Sequence, residues 1–224
     1  MDDYYSKHLS TERLRLCYEI APPRVVRYLN AEIDFVLDKI KPTDKVLELG
    51  CGYGRILLKL AEKAKTVVGI DNSGESILLA KDILKDFKNC QVFEMDAKKL
   101  DFPDNYFDKV LCLQNGLSAF KLNKRNLIKE ALRITRNGGS AFFSTYSNNF
   151  WEDRLGWFRL QVECGLLGEI DEDKTKDGVI VCKDGFRATT ITEGKFSYLC
   201  NKLNLVPKIT EVDNSSIFFE IIKQ

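Results

Sequence analysis

The residues of this chain that could do chemistry gather around one segment, Val46-Leu47-Glu48-Leu49-Gly50-Cys51-Gly52-Tyr53-Gly54-Arg55. It reads as a buried strand ending in an acid, then a glycine turn and the start of a helix. Such a turn lets backbone N–H groups approach a ligand that a Cβ would hold off. Its spacing is G-x-G-x-G, whereas a dinucleotide turn prefers G-x-G-x-x-G. Asp71 follows Gly50 by 21 residues, close to the spacing at which an acid accepts hydrogen bonds from ribose hydroxyls. The structural alternative for Asp71 is a helix N-cap ahead of Ser73.

Other chemistries lack their residues. His8 is the one histidine, which leaves hydride transfer without its usual proton donor and a Ser/His/Asp triad without a constellation. The seven cysteines, at 17, 51, 90, 112, 164, 182 and 200, are widely spaced and form no C-x-x-C. No metal is expected from that ligand supply, and free thiols in a reducing cytoplasm are the simpler reading. The Cys51 thiol is not read as catalytic; its backbone is what the turn offers a ligand.

The elements that must position these residues follow from length and pattern. At 224 residues and 44% hydrophobic, the chain has enough apolar material for a sizeable core and is not of disordered composition. A net charge of +1 with mixed signs offers no basic stripe for a nucleic acid. No apolar run approaches a membrane span, and the first ten residues lack a signal core, so a cytoplasmic location is expected.

Helices are expected from Ser10 to Ile20 and from Arg24 to Ile40, the second with Val25, Leu29, Ile33, Val36 and Leu37 near one face. Strands Lys45–Leu49, Thr66–Ile70, Cys90–Glu94, Phe107–Leu113 and Ser140–Tyr146 then alternate with helices Arg55–Ala64, Ser73–Phe87 and Lys124–Thr135. Asn72 with Glu75 suits a capping box, and Asn137-Gly138-Gly139 suits a helix C-terminus with a tight turn. Alternation of this kind implies a mainly parallel sheet covered on both faces, with its ligand crevice at the carboxyl ends of the strands. Beyond Tyr146 the rhythm changes. An aromatic helix near Asn148–Leu160 precedes a hairpin cued by Asp184-Gly185, a helix near Thr192–Leu203, and a second hairpin around Asp213-Asn214.

With this order of motifs the chain resembles the class I S-adenosylmethionine-dependent methyltransferases, in the broad group acting on small molecules, over roughly Lys41 to Gln224. Val46–Gly54 looks like the family's first motif, and Val67-Val68-Gly69-Ile70-Asp71 like its second strand with the terminal acid. Phe93-Glu94-Met95-Asp96-Ala97 looks like the adenine-side loop, and Tyr106–Cys112 like the fourth strand. The resemblance implies an α/β, Rossmann-like, doubly wound fold. Its seven-stranded sheet would be mostly parallel with an antiparallel C-terminal hairpin strand. A single domain, 1–224, would carry an N-terminal helical cap (1–40) and a small β-hairpin insertion on the substrate side (146–190).

The resemblance also implies S-adenosyl-L-methionine as cofactor and assigns roles to residues. Gly50, Cys51 and Gly52 would pass close to its methionine part, Glu48 would approach its ammonium, and Asp71 with Asn72 would meet the ribose. Asp96 and the Ala97 N–H would meet the adenine, and Gln114 would sit where the fourth strand's end meets the ammonium. Gly54 reads as packing and Asp108 as structural.

Substrate readings are weaker. Tyr4, Tyr5, Tyr18, Arg24, Asn115, Trp151 and Arg187 are candidate acceptor contacts; Tyr146, at the end of the fifth strand, is a candidate to orient a hydroxyl or amine, and His8 a candidate base. Gln114-Asn115-Gly116-Leu117 lacks the N/D-P-P-Y/F pattern of many nucleobase and amide methylations. The expected function is methyl transfer to O, N or S of a small molecule by a monomer or homodimer, with no nucleic acid or membrane partner. The alternatives are an RNA or protein methyltransferase and a non-catalytic cofactor-binding protein.

Overall fold

A computed structural model describes residues 11–120 and 122–224. His8, Tyr4 and Tyr5 lie outside the described residues. Seven strands form one sheet in the order β3-β2-β1-β4-β5-β9-β8. The strands are β1 (Lys45–Leu49), β2 (Thr66–Asp71), β3 (Cys90–Glu94), β4 (Phe107–Cys112), β5 (Thr135–Tyr146), β8 (Lys208–Val212) and β9 (Ser216–Ile222). The first five are parallel, and β9 runs antiparallel between β5 and β8. The strand order reverses between β1 and β4, and a doubly wound sheet opens its crevice at that point.

Strand residues feed two core layers by turns, as a period of two requires. Val46, Val67, Leu111 and Phe142 pack on α2 (Pro23–Leu37), α3 (Arg55–Ala61) and α4 (Gly74–Ile83), while Leu47, Leu49, Val110 and Phe143 pack on α6 (Lys124–Ile134) and α8 (Glu193–Asn201). Because both faces are covered, the strands read as continuous apolar runs rather than alternating ones. Asp108 is structural: it accepts the Lys45 backbone N–H at 2.7 Å and pairs with Arg136. Burial acts to raise its pKa, but these partners hold it below the ordinary carboxylate value.

Two local expectations change. The cap of α4 is Ser73, whose Oγ accepts the Ser76 N–H, rather than Asn72. Asn137-Gly138-Gly139 does not end a helix: α6 stops at Ile134 and β5 begins at once, with a register shift opposite β4 between Phe107 and Lys109. Gly138, at φ +73°, is the residue that allows this bulge.

The cap and the insertion meet on one side of the sheet. α1 (Thr11–Glu19), α2, α7 (Trp151–Glu163) and the short pair β6 (Ile180–Val181) and β7 (Arg187–Ala188) share a third apolar cluster that includes Cys17, Tyr28, Trp157, Phe158 and Phe186. No helix among the described residues is long and apolar enough to cross a membrane.

Candidate cofactor and acceptor site

The carboxyl ends of β1 to β5 open into one cavity of about 300 Å³. Across the sheet they present Asp96 after β3, Asp71 at the end of β2, Glu48 and the glycine turn at β1, Gln114 after β4, and Tyr146 at the end of β5, all on the cavity wall. Four strand steps separate the two ends, roughly 19 Å at the usual strand spacing. The cavity is therefore a trough crossing the switch point.

The glycine turn is held by β2. The N–H groups of Gly50 and Cys51 both donate to the Ile70 carbonyl, at 2.8 and 2.9 Å. Gly50 and Gly52 have φ of +75° and +53°, a backbone region that L side chains rarely occupy. A Cβ at Gly50 would sit 3.0 Å from the Phe120 ring, and one at Gly52 3.1 Å from Leu14. Gly54 differs: its Cβ would strike Leu84 at 2.9 Å, so it seats α3 against α4 and is not on the cavity wall.

Asp71 does both things its position allows. Its Oδ2 accepts the Gly52 N–H and its Oδ1 the Ser73 N–H, each at 2.9 Å. A carboxylate oxygen accepts more than one hydrogen bond, so ribose hydroxyls can still be received. Asp96 is exposed, and its Oδ1 accepts the Lys98 N–H at 2.8 Å, which turns the chain beside the buried Ala97. Asn72 is exposed on the wall.

Glu48 is the strongest sign of a missing partner. It is buried, its Oε2 has no hydrogen-bond partner, and it faces the cavity. Burial pushes its pKa up to about 8, with Arg55 opposing and Asp71 reinforcing the shift. A buried carboxyl oxygen with no partner is costly. An ammonium or amide donor at that point removes the cost.

Gln114 and Asn115 are consecutive left-handed residues, at φ +52° and +61°. Gln114 is fixed by its N–H, which donates to Glu32 Oε2 at 3.0 Å and Ser144 Oγ at 2.8 Å, and by Tyr18, whose hydroxyl donates to its Oε1 at 2.9 Å. Its Nε2 is buried without a partner. Tyr18 therefore lies on the wall, as Tyr146 does.

The structure does not bring the other four acceptor candidates to the wall. Asn115 is buried, donating to the Thr189 carbonyl at 2.7 Å and accepting from Thr145 Oγ1 at 3.0 Å. Arg24 is held by Asp213 at 2.7 Å and stacks on Phe150. Trp151 packs in the third cluster, and Arg187 is exposed on β7.

In their place come residues the sequence did not single out: Leu14, Tyr28, Trp157, Phe158, Gln161 and Phe186. Glu32 stands behind the wall, fully buried, its Oε1 accepting from Ser216 Oγ at 2.7 Å. An acid on an otherwise apolar helix face was a readable signal for Glu32. Phe186 carried none, because the insertion fold alone places it.

α1 lies across the turn. Leu14 meets Gly52, the Thr11 N–H donates to Ser76 Oγ at 3.3 Å, and Trp157 Nε1 donates to the Cys17 carbonyl at 2.9 Å. Arg13 reaches over to the Gly165 and Leu166 carbonyls at 3.0 and 2.9 Å. These contacts tie α1 to both the cofactor side and α7.

This sheet order with its antiparallel β9 is that of a doubly wound α/β fold, and an acid-ended glycine turn lies at its switch point. Residues 46–139 match the family model described as a methyltransferase domain. That match spans 94 of the 224 residues and covers the sheet core from β1 into β5. A curated relative, 2-methyl-6-phytyl-1,4-hydroquinone methyltransferase of Synechocystis, is 30% identical over 150 residues, 58% of this chain and 46% of that protein. Others, matched over shorter stretches, are named as ribosomal RNA methyltransferases. The chain spans about half or less of the length of the first of these relatives.

Among solved structures, a Pyrococcus horikoshii protein superposes with a TM-score of 0.68 at 20% identity, covering 100% of both chains. The N-methyltransferase NodS of Bradyrhizobium japonicum, in complex with S-adenosyl-L-homocysteine, superposes with a TM-score of 0.65 at 15% identity over 98% of each chain.

Proposed function

We propose that this protein transfers the methyl group of S-adenosyl-L-methionine to an O, N or S atom of a small-molecule acceptor. The donor half of the cavity fits the cofactor by its own chemistry. Asp71 and Asn72 would receive the ribose, Asp96 and the Ala97 N–H the adenine, the Gly50–Gly52 backbone and Gln114 the methionine part, and Glu48 its ammonium. The cofactor supplies a methyl group already activated on a sulfonium. The chain's residues have then to orient the acceptor and exclude water, and orientation alone is worth on the order of 7–11 kcal/mol in favourable cases.

The observation that carries the small-molecule reading is the aromatic chamber around Tyr28, Tyr146, Trp157 and Phe186, continuous with the glycine turn and covered by α1 and α7. It is concave and largely apolar, as small-molecule sites are. The Synechocystis relative, named for a phytyl-substituted hydroquinone, supports a small-molecule acceptor. Incubating the protein with methyl-labelled cofactor and a metabolite extract should label a low-mass compound. Label appearing only in RNA or protein overturns the reading, and a steep salt dependence of RNA binding would accompany that outcome.

A further inference from the structure

Glu48, Arg55 and Gln114 all belong to the cavity wall. Each keeps one buried polar atom, Glu48 Oε2, Arg55 Nη2 and Gln114 Nε2, without a hydrogen-bond partner among the described residues. The first is a carboxyl oxygen and the other two are donors. Buried donors left in this way are costly until an acceptor arrives.

Tyr18 of α1 touches the side chains of both donors. The Arg55 guanidinium lies over its ring, 4.7 Å from the centroid, and its hydroxyl donates to Gln114 Oε1 at 2.9 Å. A cation over a ring spends none of its five N–H donors on an oxygen acceptor. The hydroxyl holds the Gln114 amide by its oxygen, which leaves the NH2 end to a different partner. Tyr18 is itself packed against Tyr53 and Trp157, with ring centroids 6.2 and 6.0 Å away. One ring thus places both donors, one over its face and one at its hydroxyl end.

The charges around Arg55 decide which ligand fits. Glu48 and Glu32 both feel its charge, but neither bonds Nη2. The oxygens of Glu32 are taken by Ser216 and by the Gln114 N–H. A lone anion such as phosphate would gain Arg55 and meet Glu48 as a like charge. A lone ammonium would gain Glu48 and meet Arg55. A group with both charges on one carbon, as in an amino-acid head, satisfies the acid and the donors together.

We infer that Arg55 and Gln114 Nε2 together bind the carboxylate at the amino-acid end of the cofactor, and that Tyr18 positions both donors. The inference rests on the methyltransferase reading above, which brings that end of the cofactor to the glycine turn. Calorimetry on the full chain tests it, comparing S-adenosylhomocysteine with its decarboxylated analogue, which keeps the adenosine, the sulfur and the amine. The wild-type protein should bind the analogue about thirtyfold more weakly, for the charge-assisted hydrogen bonds that it cannot make. Arg55→Met keeps a long apolar stem against Tyr18. It should lower that ratio to about threefold by weakening S-adenosylhomocysteine alone, and the analogue's unchanged affinity reports a folded site. Tyr18→Leu should lower the ratio too, since the ring under the guanidinium and the hydroxyl on Gln114 both go.

Equal binding of the two ligands by the wild-type protein overturns the inference without any variant. Arg55→Met weakening both ligands by the same factor overturns it as well, since that is the mark of a structural arginine. An unchanged ratio in Tyr18→Leu overturns the positioning role of Tyr18. Failure of the wild-type protein to bind S-adenosylhomocysteine at all sinks the methyltransferase reading instead.

Discussion

Asp71 holds Gly52: the carboxylate at the end of β2 accepts the backbone N–H in the middle of the glycine turn after β1, at 2.9 Å. The same side chain starts α4 through the Ser73 N–H. One residue thus shapes the turn and faces the place where ribose hydroxyls would lie. Substitution should therefore act twice. Asp71→Ala should weaken S-adenosylhomocysteine by about 100-fold or more, since hydrogen bonds to a charged group are worth about 1.5–3 kcal/mol each. Asp71→Asn, which keeps one acceptor oxygen, should lose about tenfold. Calorimetry gives both, and wild-type affinity in Asp71→Ala removes Asp71 from the site.

The glycines separate by what their missing side chains would meet. Gly54→Ala should cost about 1–2 kcal/mol from its left-handed backbone alone, plus the clash with Leu84 at 2.9 Å. That lowers Tm by roughly 4 °C for a chain of this size and leaves ligand affinity intact. Gly52→Ala should instead abolish most cofactor binding, because its Cβ would stand between the turn and Leu14. Thermal melts with and without S-adenosylhomocysteine check both: the ligand-induced rise in Tm should survive in Gly54→Ala and vanish in Gly52→Ala.

The side of this cavity built on the glycine turn was legible because local rules fix it. A turn that needs positive φ demands glycine at 50 and 52, and an acid 21 residues on marks the end of the next parallel strand, so spacing alone brings Asp71 to the turn. The sheet was legible for a related reason: apolar runs bounded by helical patterns leave few other ways to bury both faces. The aromatic side was not, because its residues come from α2, α7 and the β6–β7 insertion, far apart in sequence and joined by packing. Arg24 and Arg187 looked available as isolated cations. The structure gives Arg24 to Asp213, 189 residues away, and leaves Arg187 outside. Trp157 and Phe158, neighbours in one helix, both turn inward because α7 is wrapped by α1 and the insertion rather than lying on one flat surface.

α1 lies across the glycine turn, and two of its side chains tie it to the far wall of the cavity. Arg13 spans to the Gly165 and Leu166 carbonyls, and Tyr18 to Gln114. S-adenosylhomocysteine should slow hydrogen exchange of the α1 amides, since closure over the ligand adds contacts to a peripheral element. Arg13→Ala should raise the ligand's dissociation rate by about tenfold for the two hydrogen bonds removed, with a smaller change in association. Exchange in α1 that ignores the ligand means that this helix is a fixed wall rather than a cover.

Glu48 makes the site proton-linked, and the sign can be worked out. Burial pushes its carboxyl up to about 8, and burial pushes Glu32 up to about 7 against the hydrogen bonds it receives; in the unfolded chain both return near 4.5. Between about pH 4.5 and 8 the folded protein keeps protons that the unfolded chain has lost, so stability falls as pH rises through that window and levels off above it. An ammonium arriving at Glu48 Oε2 favours the carboxylate, so binding expels a proton wherever free Glu48 is still protonated. S-adenosylhomocysteine should then bind more tightly at pH 7.5 than at pH 6, with a calorimetric heat that varies with the buffer's ionisation enthalpy. Glu48→Gln should lose that buffer dependence and bind equally at both pH values. It should also flatten the upper part of the stability decline, leaving the portion that belongs to Glu32. Equal wild-type affinity at pH 6 and 7.5 would place the ammonium elsewhere, with the Gln114 side of the trough as the remaining position.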